Sequence, residues 1–417
     1  MRLLTFTTLY PNTQQGSHGI FVENRLMQLV ASGQATAEVV APVALVPDIV
    51  GIPQRFRRLS AVPASEERGG IKVYHPRYLL LPKVSMVAAP MSLYLAAKRC
   101  LSTVLAQGGD FDLIDAHYFY PDGVAAVMLG RCFGKPVTIT ARGSDIHVLA
   151  QHRWPRKMIQ WAAREAAGIV TVCEALKGSL VALGVSPDKI RVLRNGVDLE
   201  KFRPGDRAAA RDKHGIDGVT LLSVGNLVPL KGHDLAIKAL ASLPQARLVI
   251  VGEGPEETSL RGLAAELKVA DRVRFLGRLP QDALPSLYLA ADVLLLLSTH
   301  EGWANVLLEA MACGTPVVAS NVGGTPEVVG ASDVGELVHE RSPSHVAEAI
   351  QRLLRRKPDR RAVRSYAEGF SWDATTSGQL NLFENILRER RPQIPMQKPI
   401  DGKSEKLTPR SFESPAQ

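Results

Sequence analysis

Short continuous apolar runs alternate along this chain with helix-length segments of mixed polarity. In the first half the runs are "RLLTFTTLY", "AEVVAPVAL", "IKVYHP", "FDLIDAHY", "KPVTITARG", "GIVTVC" and "KIRVLRNGVD"; in the second they are "VTLLSVGNL", "ARLVIVGEG", "RVRFLGRL", "DVLLLLS", "TPVVAS" and "GELVH". Uninterrupted apolar strands separated by helical segments predict parallel βαβ units buried on both sheet faces. Twice the series is long enough for a complete sheet, so the pattern predicts an α/β chain of two doubly wound, Rossmann-like domains.

The seam falls in "RPGDRAAARDKHGIDG", which is charged, contains glycine and has no strand pattern. This predicts a first domain over 1–202, a linker over 203–217 and a second domain over 218–371. After Asp373, "ATTSGQLNLFENILRERR" reads as one last amphipathic helix, placed at 372–391. From Pro392 the Pro/Ser/Lys-rich run 392–417, almost without large apolar residues, predicts disorder. The most apolar internal run, "MVAAPMSLYLAA" (Met86 to Ala97), is closed by Lys98 and Arg99. It falls short of the roughly 20 residues a membrane span needs. It predicts a core helix or an interfacial one.

With 417 residues there is room for two cores, and 46% hydrophobic against 22% charged residues is the balance of a globular protein. The formal charge of +9 attracts phosphates, whether of nucleotides, lipid headgroups or nucleic acid. It is equally that of an ordinary basic protein. Cys100, Cys132, Cys173 and Cys313 form no CxxC pair, which fits reduced thiols in a cytosol rather than a disulfide framework or zinc site. The apolar run in "MRLLTFTTLYP" is too short for a signal peptide.

Candidate chemistry concentrates in "EGWANVLLEAMACGTPVVAS", residues 301–320. A buried strand ends at Ser298, "THEGWAN" forms a loop, and a helix runs from about Asn305 to Cys313 before Gly314 ends it. Ligands of open α/β sheets sit outside the carboxyl ends of the strands, so Glu301 overlooks that crevice. Glu309 follows about a turn into the helix. Between the two acids, the backbone N–H groups of Asn305, Val306 and Leu307 are a natural anion site. Sugar hydroxyls at one end, phosphates in the middle and a ribose at the other would satisfy all three features. Alternatively Glu309 is a solvated helix residue and Glu301 a dipole partner, although an acid amid "VLLEAMA" must find partners.

This stretch closely resembles the E-x7-E signature of retaining, nucleotide-sugar-dependent glycosyltransferases of the GT-B fold, in which two Rossmann-like domains face a central cleft. "NTQQGSHGIFVENRLMQL", "LIDAHYFYPDG", "TARGSDI", "RNGVDLEKFRP", "SVGNLVPLKGHDLAIKA", "VGEGPEETSL" and "VRFLGRLP" match in the right order, so the resemblance extends to about residue 390.

The resemblance implies that Glu301 bonds the donor sugar and Glu309 the nucleoside ribose. It also implies that the backbone of Phe275, Leu276 and Gly277 holds the base. An arginine and a lysine usually neutralise the diphosphate; Lys231 matches, but Asn226 stands at the arginine position. Gly16, Ser17 and Gly19 would let the first loop approach donor or acceptor, or serve only the turn. Arg142 stands where relatives often carry histidine; always protonated, it cannot be a base but can clamp a phosphate. His117 points to the crevice by topology, or is structural. Asp145 orients the acceptor hydroxyl or pairs with Arg142.

By the same resemblance no metal or other cofactor is required, and "DFD" (Asp110 to Asp112) leads into a strand rather than following one. "GEGPEE" lacks the third glycine of a dinucleotide fingerprint. The expected partners are a nucleotide-diphosphate sugar and a saccharide acceptor, most plausibly lipid-linked at the inner membrane surface in polysaccharide synthesis. "QRFRRL" and "YHPRYLLLPK" suit an anionic membrane, or are solvated loops and core edges. A same-fold sugar-nucleotide epimerase and a non-catalytic binder are the competing readings. Nucleic-acid binding rests on charge alone and lacks interleaved aromatics.

Overall fold

The computed structural model describes residues 1–45, 59–80 and 85–390. Two parallel sheets dominate it. The first has the spatial order Ile190–Val192, Gly168–Thr171, Val137–Ala141, Leu113–His117, Arg2–Phe6, Thr36–Val40, Ile71–Tyr74, Ser65–Arg68. Only its last pair is antiparallel. The second has the order Val273–Phe275, Ala246–Val251, Val219–Val224, Val293–Leu296, Val317–Ser320, Gly335–Val338, parallel throughout. Strands such as Leu113–His117, Val137–Ala141, Val293–Leu296 and Val317–Ser320 are buried at every position, which is why they read as continuous apolar runs.

Three details depart from the sequence expectation. "AEVVAPVAL" is two strands, Thr36–Val40 and Val43–Leu45, because Pro42 lacks the N–H a continuous ladder needs. The second piece pairs with Arg77–Leu79 in a separate two-stranded ribbon. The seam, read as an unpatterned linker, contains a helix, Arg207–His214. Asp206 caps it by accepting from the Ala209 N–H, and Gly215 ends it in the left-handed conformation. Ala210 packs with Ile216 and Ala290, while Arg207 and Arg211 pair with Asp292.

The apolar helix extends over Ser85–Ala106 and is only half core. Leu93, Ala97 and Leu101 are buried, whereas Met86, Val87, Met91 and Leu95 face outward. The final helix, Asp373–Arg390, returns to the first sheet and buries Leu380, Phe383 and Ile386 against Leu3, Leu29 and Leu113. Most of "QRFRRL", the end of "YHPRYLLLPK" and the run 392–417 lie outside the described residues.

Candidate active site

The central strands of both sheets direct their carboxyl ends at one cleft of about 610 Å3. On the second sheet's side, Pro229–Lys231 makes a single turn that Gly232 closes at φ 69°. A Cβ on Gly232 would stand 2.1 Å from the Leu297 carbonyl oxygen, so glycine is what allows this loop to lie against the neighbouring one. The Thr299 N–H donates to the Leu230 carbonyl at 2.9 Å and ties the two loops together. Lys231 Nζ consequently meets Glu301 Oε1 at 2.7 Å, and the Ser298 hydroxyl donates to the same oxygen at 2.6 Å. Asn226 lines the wall beside them, and His233 bonds its carbonyl from below at 3.3 Å.

The helix start differs from its expected form. It spans Asn305–Ala312, but the Asn305 N–H turns back to the Trp303 carbonyl (3.2 Å) and the Leu307 N–H to that of Ala304 (3.0 Å). Leu307 is fully buried and does not line the cleft. Val306, which does, has no such backbone bond among the described residues. Of the three amides expected to face an anion, only that of Val306 is left open on the lining.

Glu309 is not a solvated helix residue. It is 9% exposed, accepts the Tyr288 O–H at 2.8 Å and the Gln281 amide at 3.4 Å, and lines a small cavity of about 80 Å3 with Asn305, Lys201 and Phe21. Burial pushes its carboxyl above the usual range, while the Tyr288 and Gln281 bonds pull the other way. Asn305 lines both this cavity and the main cleft.

Phe275 and Leu276 lie off the cleft lining. The Arg261 guanidinium covers the Phe275 ring at 4.3 Å. The Leu276 N–H is spent on the Ile250 carbonyl (2.9 Å), and the Gly277 carbonyl on the Gly252 N–H (2.8 Å). Those two backbone groups are thus occupied by the sheet rather than open to a base.

On the first sheet's side, Arg142 lines the cleft from the end of Val137–Ala141, with its guanidinium 5.2 Å from the Phe21 ring centre. Its Nη2 donates to His117 Nδ1 at 2.5 Å and its Nη1 to Asn195 Oδ1 at 3.3 Å. His117 does not line the cleft: it is 1% exposed, and its other nitrogen donates to Asp115 Oδ2 at 3.1 Å. Burial holds its pKa down to about 4, so it is a neutral ring with both nitrogens engaged, and it supports Arg142 rather than facing a ligand.

Asp145 is likewise inward. Its oxygens accept the backbone N–H groups of Phe119 (2.7 Å), Gly143 (2.7 Å) and Arg142 (3.1 Å), shaping the turn that carries Arg142. Among the described residues it makes no ion pair with the Arg142 guanidinium, and it is fully buried off the cleft lining. In the first loop, Gly16 is exposed and off the lining, whereas Ser17 and Gly19 are on it. Gly19 adopts φ 67° with its Cβ position 2.2 Å from the Leu9 carbonyl oxygen, so it serves the turn into the helix Ile20–Ala31. The residues of "DFD" bind Arg2 and Lys135 at the far end of their strand.

Asn195, in the "RNGVD" segment, joins the two walls, a role with no sequence signal of its own. Its amide donates to Asn305 Oδ1 (3.2 Å) and its carbonyl accepts the Trp303 indole N–H (3.0 Å). Nearby, Gly143 and Gly302 touch through their backbones; a Cβ on Gly302 would lie 2.0 Å from the Arg142 carbonyl oxygen. Arg278 reaches across to the Ser17 hydroxyl at 3.2 Å.

Comparison with known proteins agrees with this architecture. Residues 56–201 match the family described as Glycosyltransferase Family 4, and 206–370 match Glycosyl transferases group 1. A D-inositol 3-phosphate glycosyltransferase of Acidothermus cellulolyticus is 39% identical over 69% of this chain and 70% of its own length. The protein of that name in Mycobacteroides abscessus is 35% identical over 69% of each chain. Among solved structures, sucrose-phosphate synthase from Thermosynechococcus elongatus superposes with a TM-score of 0.77 at 22% identity, covering 93% of this chain and 99% of that one. HepE of Anabaena in complex with UDP and glucose gives 0.69 at 19% identity, covering 92% and 99%. On sequence and fold together, the chain belongs to the group 1, family 4 glycosyltransferases, enzymes of the two-domain GT-B fold.

Proposed function

We propose that this enzyme moves a sugar from a nucleoside-diphosphate donor to an acceptor hydroxyl with retention of configuration. The nucleotide would lie on the second domain (218–371) and the acceptor against the first (1–202). The observation that carries this reading is the Lys231–Glu301 pair at the strand ends, facing Arg142 across the cleft. In the reaction the bond from C1 to the diphosphate oxygen breaks, and its electron pair leaves with the diphosphate. The acceptor oxygen bonds C1 from the same face, and its proton passes to the leaving oxygen. Lys231 and Arg142 would stabilise the charge growing on that diphosphate, and Glu301 would hold the sugar. Glu309 would receive the ribose at the smaller cavity. His117 and Asp145 act behind Arg142.

For the acceptor, the supporting observation is the outward face of Met86, Val87, Met91 and Leu95. The Tyr120 hydroxyl donates to the Met86 carbonyl, which ties the start of this helix to the loop that carries Tyr118 onto the cleft lining. Trp154, 54% exposed and flanked by Arg153 and Lys157, extends the same character. A lipid-linked saccharide at an anionic membrane surface on the cytoplasmic side fits both features. Among the described residues no helix is long and apolar enough to cross a membrane, so the contact would be peripheral. A second reading, a phosphorylated polyol acceptor, follows from the names of the relatives. The test is transfer from a panel of UDP-, GDP- and ADP-sugars to a polyprenyl-linked saccharide in anionic vesicles and, separately, to inositol phosphate, with product anomers read by NMR. Inverted anomers would overturn retention, and transfer only to inositol phosphate would select the second reading.

A further inference from the structure

Gln379, on the last helix, is fully buried and approaches the cleft only through other side chains. Its Oε1 accepts from Arg25 Nε at 2.6 Å, and its Nε2 donates to Asp115 Oδ2 at 2.9 Å. Asp115 also accepts the Thr138 hydroxyl (2.9 Å) and the His117 Nε2–H (3.1 Å). That last bond fixes the proton of the neutral ring on Nε2 and leaves Nδ1 bare to receive Arg142 Nη2. Arg25 and Arg142 then converge on Asn195 Oδ1, each at 3.3 Å, and Asn195 bonds Asn305 in the opposite wall.

The chemistry of each link is specific. A carboxylate at position 379 would face Asp115, and a hydrocarbon would leave both Arg25 Nε and an Asp115 lone pair without a partner. Among the described residues, the Arg142 guanidinium bonds neutral groups only, and its buried Nε has no partner. A guanidinium held this way keeps its charge for an anion arriving in the cleft, and its direction depends on the groups behind it.

We propose that Gln379 is a positioning residue for the transfer: through Asp115 and His117 it fixes the aim of Arg142 at the donor phosphates. The proposal rests on the reading of Arg142 as a donor-facing cation. The experiment is turnover of the full chain at saturating donor, per active site counted by donor titration, for Gln379→Leu, Arg142→Ala and the double variant. Misaim predicts that Gln379→Leu alone slows turnover about ten- to a hundredfold. In the Arg142→Ala background it would add less than about twofold, since its effect has lost its vehicle. His117→Gln, which offers the same donor and acceptor without titrating, is expected to recover most of what His117→Ala loses.

Multiplying effects in the double variant would overturn the relay, because a merely structural role is additive. His117→Gln as slow as His117→Ala would also overturn it, and would show that the imidazole carries a proton. The two His117 variants read the relay whether or not Gln379→Leu folds. Wild-type turnover of Arg142→Ala would instead sink the donor-cation reading, and the relay with it.

Discussion

Lys231 Nζ lies 2.7 Å from Glu301 Oε1, so the cation expected on the leaving diphosphate and the acid expected on the donor sugar hold each other directly. A donor must insert between or beside them. Charge on a leaving diphosphate grows in the transition state, so a lysine that meets it is expected to contribute more to rate than to ground-state binding. Lys231→Ala is expected to raise the barrier by roughly 2–4 kcal/mol, about 30- to 1,000-fold in turnover at saturating donor. Turnover within about threefold of wild type would remove Lys231 as the leaving-group cation and leave Arg142 in that role.

Glu309 has a structural bond and a proposed role at the ribose, which one substitution cannot separate. Its Oε2 accepts the buried Tyr288 hydroxyl, so Glu309→Ala strands that O–H at a cost of about 1–3 kcal/mol of stability. Tyr288→Phe removes the donor and leaves the carboxylate. If Glu309 holds the ribose, Glu309→Ala/Tyr288→Phe regains stability but not donor affinity, while Tyr288→Phe alone keeps affinity. Calorimetric titration with the donor decides between them, and equal affinity in all three would return Glu309 to a structural role.

The strands were legible because buried parallel strands are apolar at every position, as in Val293–Leu296. The Arg207–His214 helix carries a start signal in Asp206 and a stop signal in Gly215, but its short, charged sequence offers no apolar period between them. Ser65–Arg68 was illegible for a different reason: an edge strand reading "SEER" carries no apolar pattern. At the site, strand topology pointed to Glu301 and the family resemblance to Lys231 and Arg142, and all three line one cleft. Topology could not show which way a side chain turns, and His117 and Asp145 turn inward. Gln379 and Arg25 left no signal, because a buried hydrogen-bond partner 354 positions away in sequence follows no local period.

The close contact between the two walls depends on Gly302. Its Cβ position falls 2.0 Å from the Arg142 carbonyl oxygen and 3.2 Å from Gly143 Cα, both in the other wall. Gly302→Ala is expected to disfavour this contact by about 1–3 kcal/mol, a five- to 150-fold loss of turnover where transfer needs the walls apposed. The melting temperature of the free enzyme should change far less. Gly178→Ala, on a helix with open space around it, is the control.

Asp122 gives the fold a pH dependence of its own. Burial pushes it up from an ordinary 3.8 to about 7, against the pull of the Thr8 N–H and the Thr7 and Thr8 hydroxyls. The folded state then keeps a proton that the unfolded chain releases above pH 4. This contribution to stability therefore falls as pH rises from about 4 to about 7, and is flat outside that window. Asp122→Asn removes the titration, so the difference in stability between variant and wild type is expected to move in the variant's favour across that range. Denaturation midpoints at pH 4.5, 6 and 7.5 measure it; a constant difference would mean that Asp122 is ionised throughout.

Asn226 offers the converse of a loss-of-function test. It is exposed on the cleft wall next to Lys231 and donates only neutral hydrogen bonds, where the family resemblance leads one to expect an arginine. Its backbone carbonyl, not its side chain, makes the contact with His233, so a longer side chain displaces nothing below it. In a Lys231→Ala background, Asn226→Arg returns a cation to the same loop while leaving Glu301 without its usual partner. Partial rescue is expected, about tenfold in turnover if the guanidinium recovers some 1.4 kcal/mol of the lost transition-state stabilisation. Rescue in donor affinity alone, with turnover unchanged, would mean that the loop binds the diphosphate equally before and during transfer. In that outcome the cation that responds to the developing charge would have to be Arg142, on the opposite wall.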